Sequence, residues 1–528
     1  MNEKFICNTT DTVVQTKAVA LRGFYHDGIF KFYGIKYADA KRFQRPTEVE
    51  PWKGIRDALG YGYVCPMLRN PAPGTGELRC PHRYWPVDEN CQYLNIWSPA
   101  LDKNAKKPVM VWLHGGGYAE GSSIEQLAYD GTQLAAFGDV VVVTLNHRLN
   151  ILGFLDLSPY GKKYANSANA GLEDIVYALR WVRGNIAGFG GDPGNVTLFG
   201  QSGGGGKITA LLQSPDADGL FHKGIIQSGV FDRSWKGSAA NGKIPDDLQK
   251  RDPRPIVEAL LSELGLTEAG ALETVPYTAL AAAYNKVAPG IAAQGGYVGN
   301  APLPGDFYKG DPLEAGFTEH AKTIPLIVGS VIDEFKGFAP TANERIEKDG
   351  RGVIAEVYGG QNAGRMIALF REAYPDKSLR DLADLDGLFR IPDIRYLKLR
   401  AEQCTAASYS YLFTVDFDID GGNGAWHCSE IPFVFHNAAS TPYANLPGGD
   451  ILEAQMCSAW VSFARTGDPN HDGIPVWPAV RKGDEACMLF DLTCEVRHNH
   501  DHALMEAFAG CMRERAAQPD LENIPIEH

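Results

Sequence analysis

Long apolar runs are missing from this chain of 528 residues. Stretches such as Val140-Val141-Val142-Val143 have the length of a buried strand, far short of the ~20 residues that span a bilayer. No membrane partner is therefore expected. The opening residues, Met1-Asn2-Glu3-Lys4-Phe5-Ile6-Cys7, lack the apolar centre of a secretory signal, which makes a cytoplasmic location the expectation. Basic residues are in deficit, 50 Lys and Arg against 64 Asp and Glu, for a net charge of -14. That field repels phosphate backbones and anionic lipid, so nucleic acid is not an expected partner. The ten cysteines include no C-x-x-C pair. No metal or other cofactor is expected. Cys65 and Cys91 could bridge or could stay reduced; the sequence leaves both open.

What is present is patterned. Hydrophobic residues at 44% and charged residues at 22% give the balance of a globular enzyme. Gly28 to Tyr37 alternates glycine and aromatics like a short sheet or hairpin. Apolar strands are predicted at Val109 to Leu113, Val140 to Leu145, Val196 to Phe199, Gly224 to Gln227, Ile324 to Val328 and Tyr409 to Val415. Between them Ala170 to Val182 has helical spacing, and a helix is expected over Lys207 to Leu212. Uniformly apolar strands alternating with helices predict an α/β fold whose mostly parallel sheet is covered on both faces. One elaborated domain over residues 1–528 is expected, with a small N-terminal β sheet. Helical insertions at about 231–320 and 339–400 would lie over the open end of the sheet, where ligands bind.

The chemistry starts at Gly200-Gln201-Ser202-Gly203-Gly204, a G-x-S-x-G elbow between a strand and a helix. A serine hydroxyl is a weak nucleophile and needs a base, a group orienting that base, and donors for the oxyanion. His114-Gly115-Gly116-Gly117 follows a buried strand and supplies the glycine loop from which Gly116 and Gly117, with Gly203, would donate N–H groups. Asp333-Glu334 follows a later strand, and His427 lies beyond the strand after that. The order Ser202, acid, His427 is that of α/β-hydrolases. A lone acid or histidine in such a place is more often structural; order and position together raise these above that reading.

The chain resembles the type-B carboxylesterases, the carboxylesterase and cholinesterase family of α/β-hydrolases, in their bacterial form. The likeness runs through Gly34-Ile35-Lys36-Tyr37-Ala38, Glu89-Asn90-Cys91-Gln92-Tyr93-Leu94-Asn95-Ile96-Trp97, Asn146-His147-Arg148, Phe189-Gly190-Gly191-Asp192-Pro193 and Phe463-Ala464-Arg465-Thr466-Gly467-Asp468-Pro469. The resemblance implies an α/β-hydrolase fold and hydrolysis of small carboxylic esters. It also implies Ser202 as nucleophile, Glu334 rather than Asp333 as the acid, His427 as base and Ser228 as a brace for the acid. Ion pairs Arg42–Glu89 and Arg148–Asp174 are implied as structural, and a disulfide maps onto Cys65 and Cys91.

Two departures stand out. Gln201 sits where the family has glutamate, removing a negative charge beside the imidazolium and so disfavouring cationic substrates such as choline esters. His147 replaces a tyrosine and is read as packing. Gly203-Gly204-Gly205-Gly206-Lys207 imitates a phosphate loop, but Gln201 and Ile208 break that pattern. Tyr118, Trp85, Phe338 and Trp426 are candidates for the pocket walls. Two rival readings are a non-catalytic adhesion protein of the same fold and an amidase.

Overall fold

The computed structural model describes residues 4–69, 77, 79–231, 252–419 and 422–516. Its core is an eleven-stranded sheet. Seven parallel strands form the middle, in spatial order Val141–Leu145, Lys107–Leu113, Gly191–Gln201, Lys223–Gln227, Leu326–Val331, Ser408–Phe413 and Ala486–Phe490. Antiparallel strands close both edges: Tyr93–Ser98, Ile29–Lys36 and Phe24–His26 on one side, Glu495–His498 on the other. The central strands read as unbroken apolar runs because helices cover both of their faces, and Val141–Leu145 and Leu326–Val331 are buried at every position. A separate three-stranded sheet near the N-terminus joins Val13–Gln15, Ala20–Arg22 and Ile55–Asp57.

The sequence strands fall on observed ones with ends shifted by a few residues. The expected hairpin is Phe24–His26 paired with Ile29–Lys36. The helix expected from Lys207 begins at Gly203 and runs to Leu212. Four consecutive glycines are poor helix formers. Here packing overrides propensity: a side chain on Gly203 would strike the Gly117 backbone, and one on Gly204 the carbonyls of Leu113 and His114.

The first insertion contributes helices Arg254–Leu264 and Tyr277–Ala293, with residues 232–251 outside the described set. The second contributes Asn343–Tyr358, Gly360–Ala373, Leu379–Asp384 and Arg390–Gln403. Among the described residues no helix is long and apolar enough to cross a membrane. The implied Cys65–Cys91 disulfide is absent: both cysteines are free thiols, buried in one apolar cluster. Both implied ion pairs form, Arg42 to Glu89 at 2.6 Å and Arg148 to Asp174 at 2.7 Å.

Candidate active site

Four of the parallel strands each deliver one piece of the site at the C-terminal end, where open α/β sheets bind ligands. Lys107–Leu113 runs into the glycine loop, Gly191–Gln201 into Ser202, Lys223–Gln227 into Ser228, and Leu326–Val331 into Glu334. The turns are tight. Ser202 has φ 57°, Ser228 44°, Glu334 37° and Cys428 77°, all in the left-handed region that side chains avoid. Such residues cost on the order of 1–3 kcal/mol each and concentrate at functional sites.

Glu334 and His427 are joined twice. The His427 N–H donates to the Glu334 carbonyl at 2.9 Å, and His427 Nδ1 lies 2.5 Å from Glu334 Oε2. The other carboxylate oxygen accepts from Ser228 Oγ at 2.7 Å and from the Val331 N–H at 3.1 Å. That leaves Nε2 as the ring nitrogen available for Ser202. No hydrogen bond yet joins Ser202 to His427; catalytic bonds of this kind often tighten only around substrate. Burial pulls the His427 pKa down to about 4, partly offset by the nearby Glu430 and Asp386 charges. Burial also pushes the Glu334 carboxyl up, against the bond from Ser228. The imidazole is thus neutral near pH 7 and free to accept a proton. Phe335 and Phe389 pack against its ring, at centroid distances of 4.3 and 5.4 Å.

Gln201 touches this pair directly. Its Nε2 lies 3.3 Å from each ring nitrogen of His427, so the amide sits across the ring and not in line with either lone pair. Its Oε1 accepts from the Cys428 thiol at 3.3 Å. The charge that a glutamate would place here has a nearby counterpart in Glu430. That buried carboxyl, raised to about 7 by burial, accepts from Gln227 at 3.0 Å. Nothing but its position three residues after His427 marked it in the sequence.

A cleft of about 1180 Å³ opens at Ser202 and His427. Gly115, Gly116 and Gly117 line it, with Gly116 and Gly117 at positive φ. Gly203 packs on the Gly117 backbone. Lys207, fully buried on the helix that follows Ser202, donates to the His114 carbonyl at 2.8 Å and so supports the glycine loop from below. Of the four wall candidates, Trp85 and Phe338 line the cleft. Tyr118 and Trp426 do not. Tyr118 is buried against Phe154, and Trp426 is fully buried between Phe417 and Tyr443, so both belong to the core. Sequence reasoning missed Phe335, Tyr84, Tyr129 and Tyr277 as walls. Among so many aromatics, no periodicity separates a wall from a core position. His147 stacks on His114 at 5.2 Å, as the packing reading expects.

Comparison with known proteins agrees with this architecture. The carboxylesterase family model matches residues 10–507. The chain is 32% identical to para-nitrobenzyl esterase of Bacillus subtilis (strain 168), with 91% of this chain and 95% of that protein covered. It is 32% identical, with the same coverage, to phenmedipham hydrolase of Pseudarthrobacter oxydans. Among solved structures, an esterase from anaerobic Clostridium hathewayi that can hydrolyse aliphatic aromatic polyesters superposes with a TM-score of 0.91 at 51% identity, covering 96% of this chain and 100% of that one. The chain belongs to the carboxylesterase family. It is a serine ester hydrolase of the α/β-hydrolase fold.

Proposed function

We propose that Ser202, Glu334 and His427 are the catalytic triad, with the N–H groups of Gly116, Gly117 and Gly203 as the oxyanion hole. The substrates are neutral carboxylic esters with short acyl chains or aryl groups. The observation that carries this is the doubly held His427, with Nδ1 on a braced Glu334 and the ring in the cleft that contains Ser202. His427 takes the proton as Ser202 Oγ attacks the ester carbonyl, and the glycine N–H groups hold the resulting oxyanion. His427 then protonates the departing alkoxide, leaving an acyl-serine that water, activated by the same imidazole, hydrolyses. Glu334 keeps the ring oriented and balances its charge.

The volume of the cleft and its Tyr84, Trp85, Phe335 and Phe338 lining support acceptance of aryl groups. The relatives named for para-nitrobenzyl, phenmedipham and aliphatic aromatic esters point the same way. The neutral Gln201 supports a preference for neutral over cationic esters. Free thiols at all ten cysteines support a cytoplasmic setting, and we read the chain as one elaborated domain around a single sheet. Kinetics on matched aryl, choline and anilide substrates test this reading. Aryl esters turned over far faster than the other two are the expected result; comparable choline-ester or anilide rates contradict it.

A further inference from the structure

Tyr84, Trp85 and Phe335 keep large apolar rings in solvent on the walls of one cleft, with 44, 39 and 49% of each residue exposed. A single exposed aromatic is ordinary; three around one concave site mark a surface kept for a ligand. Two of these rings are also held in place. The Tyr84 hydroxyl donates to Glu77 Oε1 at 2.5 Å, and the other oxygen of that carboxylate accepts from the His82 N–H at 2.7 Å. Trp85 meets Tyr61 edge-on at 5.6 Å, Tyr61 stacks on Tyr33 at 4.5 Å, and Tyr33 packs on the buried Trp97 at 5.4 Å. An indole at the end of a ladder of rings rooted in the core loses little freedom when a ligand ring settles on it. The cleft, at about 1180 Å³, also exceeds the range of about 300–1,000 Å³ usual for small-molecule sites, leaving room beyond a single small aryl ester. Arg79, in the segment that carries Tyr84 and Trp85, donates to the Gly337 carbonyl at 2.7 Å and to Asn423 Oδ1 at 3.2 Å. Those bonds fasten the segment to the loops that carry Glu334 and His427.

We propose that Tyr84 and Trp85 form an aryl subsite for the alcohol portion of the substrate, which makes the preferred class extended esters with an aromatic ring several bonds beyond the scissile oxygen. The assignment of side rests on the triad reading: His427 protonates the departing alkoxide, so the alcohol portion lies along the wall that the base occupies. Phe335, packed on the His427 ring at 4.3 Å, flanks the chain next to the scissile oxygen, and Tyr84 and Trp85 receive the ring at its far end. Ring contacts of this kind favour an aromatic over a saturated group of the same size, because stacked and edge-on geometries use the quadrupole of the π face.

The test compares kcat/KM for propyl benzoate, 3-phenylpropyl benzoate and 3-cyclohexylpropyl benzoate. Three methylenes insulate the ester from the remote ring, so the three scissile bonds are equally reactive and the ratios report binding of the far end alone. The expected result is a rate for 3-phenylpropyl benzoate roughly tenfold above propyl benzoate, with 3-cyclohexylpropyl benzoate between them. Trp85→Ala should bring the ratio of the phenylpropyl to the propyl ester to about twofold or less, and Trp85→Phe, which keeps a ring, should hold it above about threefold. A ratio near one in the unmodified enzyme, equal rates for the phenyl and cyclohexyl esters, or a ratio that Trp85→Ala leaves unchanged overturns the proposal. A failed triad shows differently: Ser202→Ala would then still turn over all three esters, whatever their ratios.

Discussion

Asp333 and Glu334 are adjacent and both fully buried, yet their surroundings differ completely. Glu334 accepts from His427, Ser228 and the Val331 N–H. The Asp333 carboxylate finds no hydrogen-bond partner among the described residues. Burial and the neighbouring Asp381 push its carboxyl well up. Glu334→Gln is expected to lower kcat by about 10⁴-fold, the scale for losing the orienting acid of a triad. Asp333→Asn is expected to keep kcat within about threefold, since its side chain touches none of the reacting groups. Steady-state kinetics on the two variants separates them. The pH profile is a second residue-scale check. The base works only when neutral, and burial holds His427 at about 4. Activity should therefore stay level as pH falls through the ordinary histidine range of about 6.5 and decline only toward pH 4. An acid limb centred near 6.5 in kcat/KM against pH would contradict that environment.

At the scale of elements, the helix Gly203–Leu212 follows directly on the proposed nucleophile Ser202 and carries Lys207 one turn on. Burial draws the Lys207 ammonium down to about 7 and raises the nearby Glu125 to about 7, while each charge favours the other. Lys207→Met removes the bond to the His114 carbonyl and leaves Glu125 without that counter-charge. It should reduce kcat by about 10- to 100-fold with little change in KM, because the loop that it supports is proposed to hold the oxyanion and not the ground-state ester. Kinetics at saturating and limiting substrate resolve the two parameters. This helix also marks where sequence reading stopped. Six of the seven parallel strands were legible because residues buried on both faces leave continuous apolar runs, while Ala486–Phe490, equally buried, was not read as a strand; the G-x-S-x-G and His-Gly-Gly-Gly elements announce themselves locally. The edge strand Glu495–His498 is short and partly charged, and it has no such signature. Lys207 was visible only as a false phosphate loop, since its target lies on a distant strand end.

A buried charge cluster joins residues remote in sequence. Arg390, almost fully buried, bonds Asp501 at 2.7 Å and Glu485 at 2.7 Å. Burial works against a charged Glu485, but Arg390 and His502 outweigh it and hold its pKa at about 2. An unfolded glutamate titrates near 4.3. The cluster therefore adds stability above that value and loses it as pH falls toward 2. Arg390→Met leaves both acids buried without their cation and is expected to cost about 3–5 kcal/mol in denaturant unfolding at pH 7. The variant should also lose the part of acid sensitivity between about pH 4.3 and 2 that this pair contributes. No spacing rule reveals such a cluster, because only the folded sheet brings the three residues together. The same holds for the cleft walls, drawn from residues 64–69, 77, 80–87, 115–129, 277–285 and 335–338. The order of the proposed triad was legible; the shape around it was not.

The central claim is an acyl-enzyme on Ser202. Rapid-quench peptide mass spectrometry during turnover of an aryl ester tests it most directly. The account requires the acyl group on the peptide containing Ser202, and no adduct with Ser202→Ala, whose kcat should fall by about 10⁶-fold. An acyl group on any other residue, or a Ser202→Ala enzyme with near-normal turnover, would contradict it.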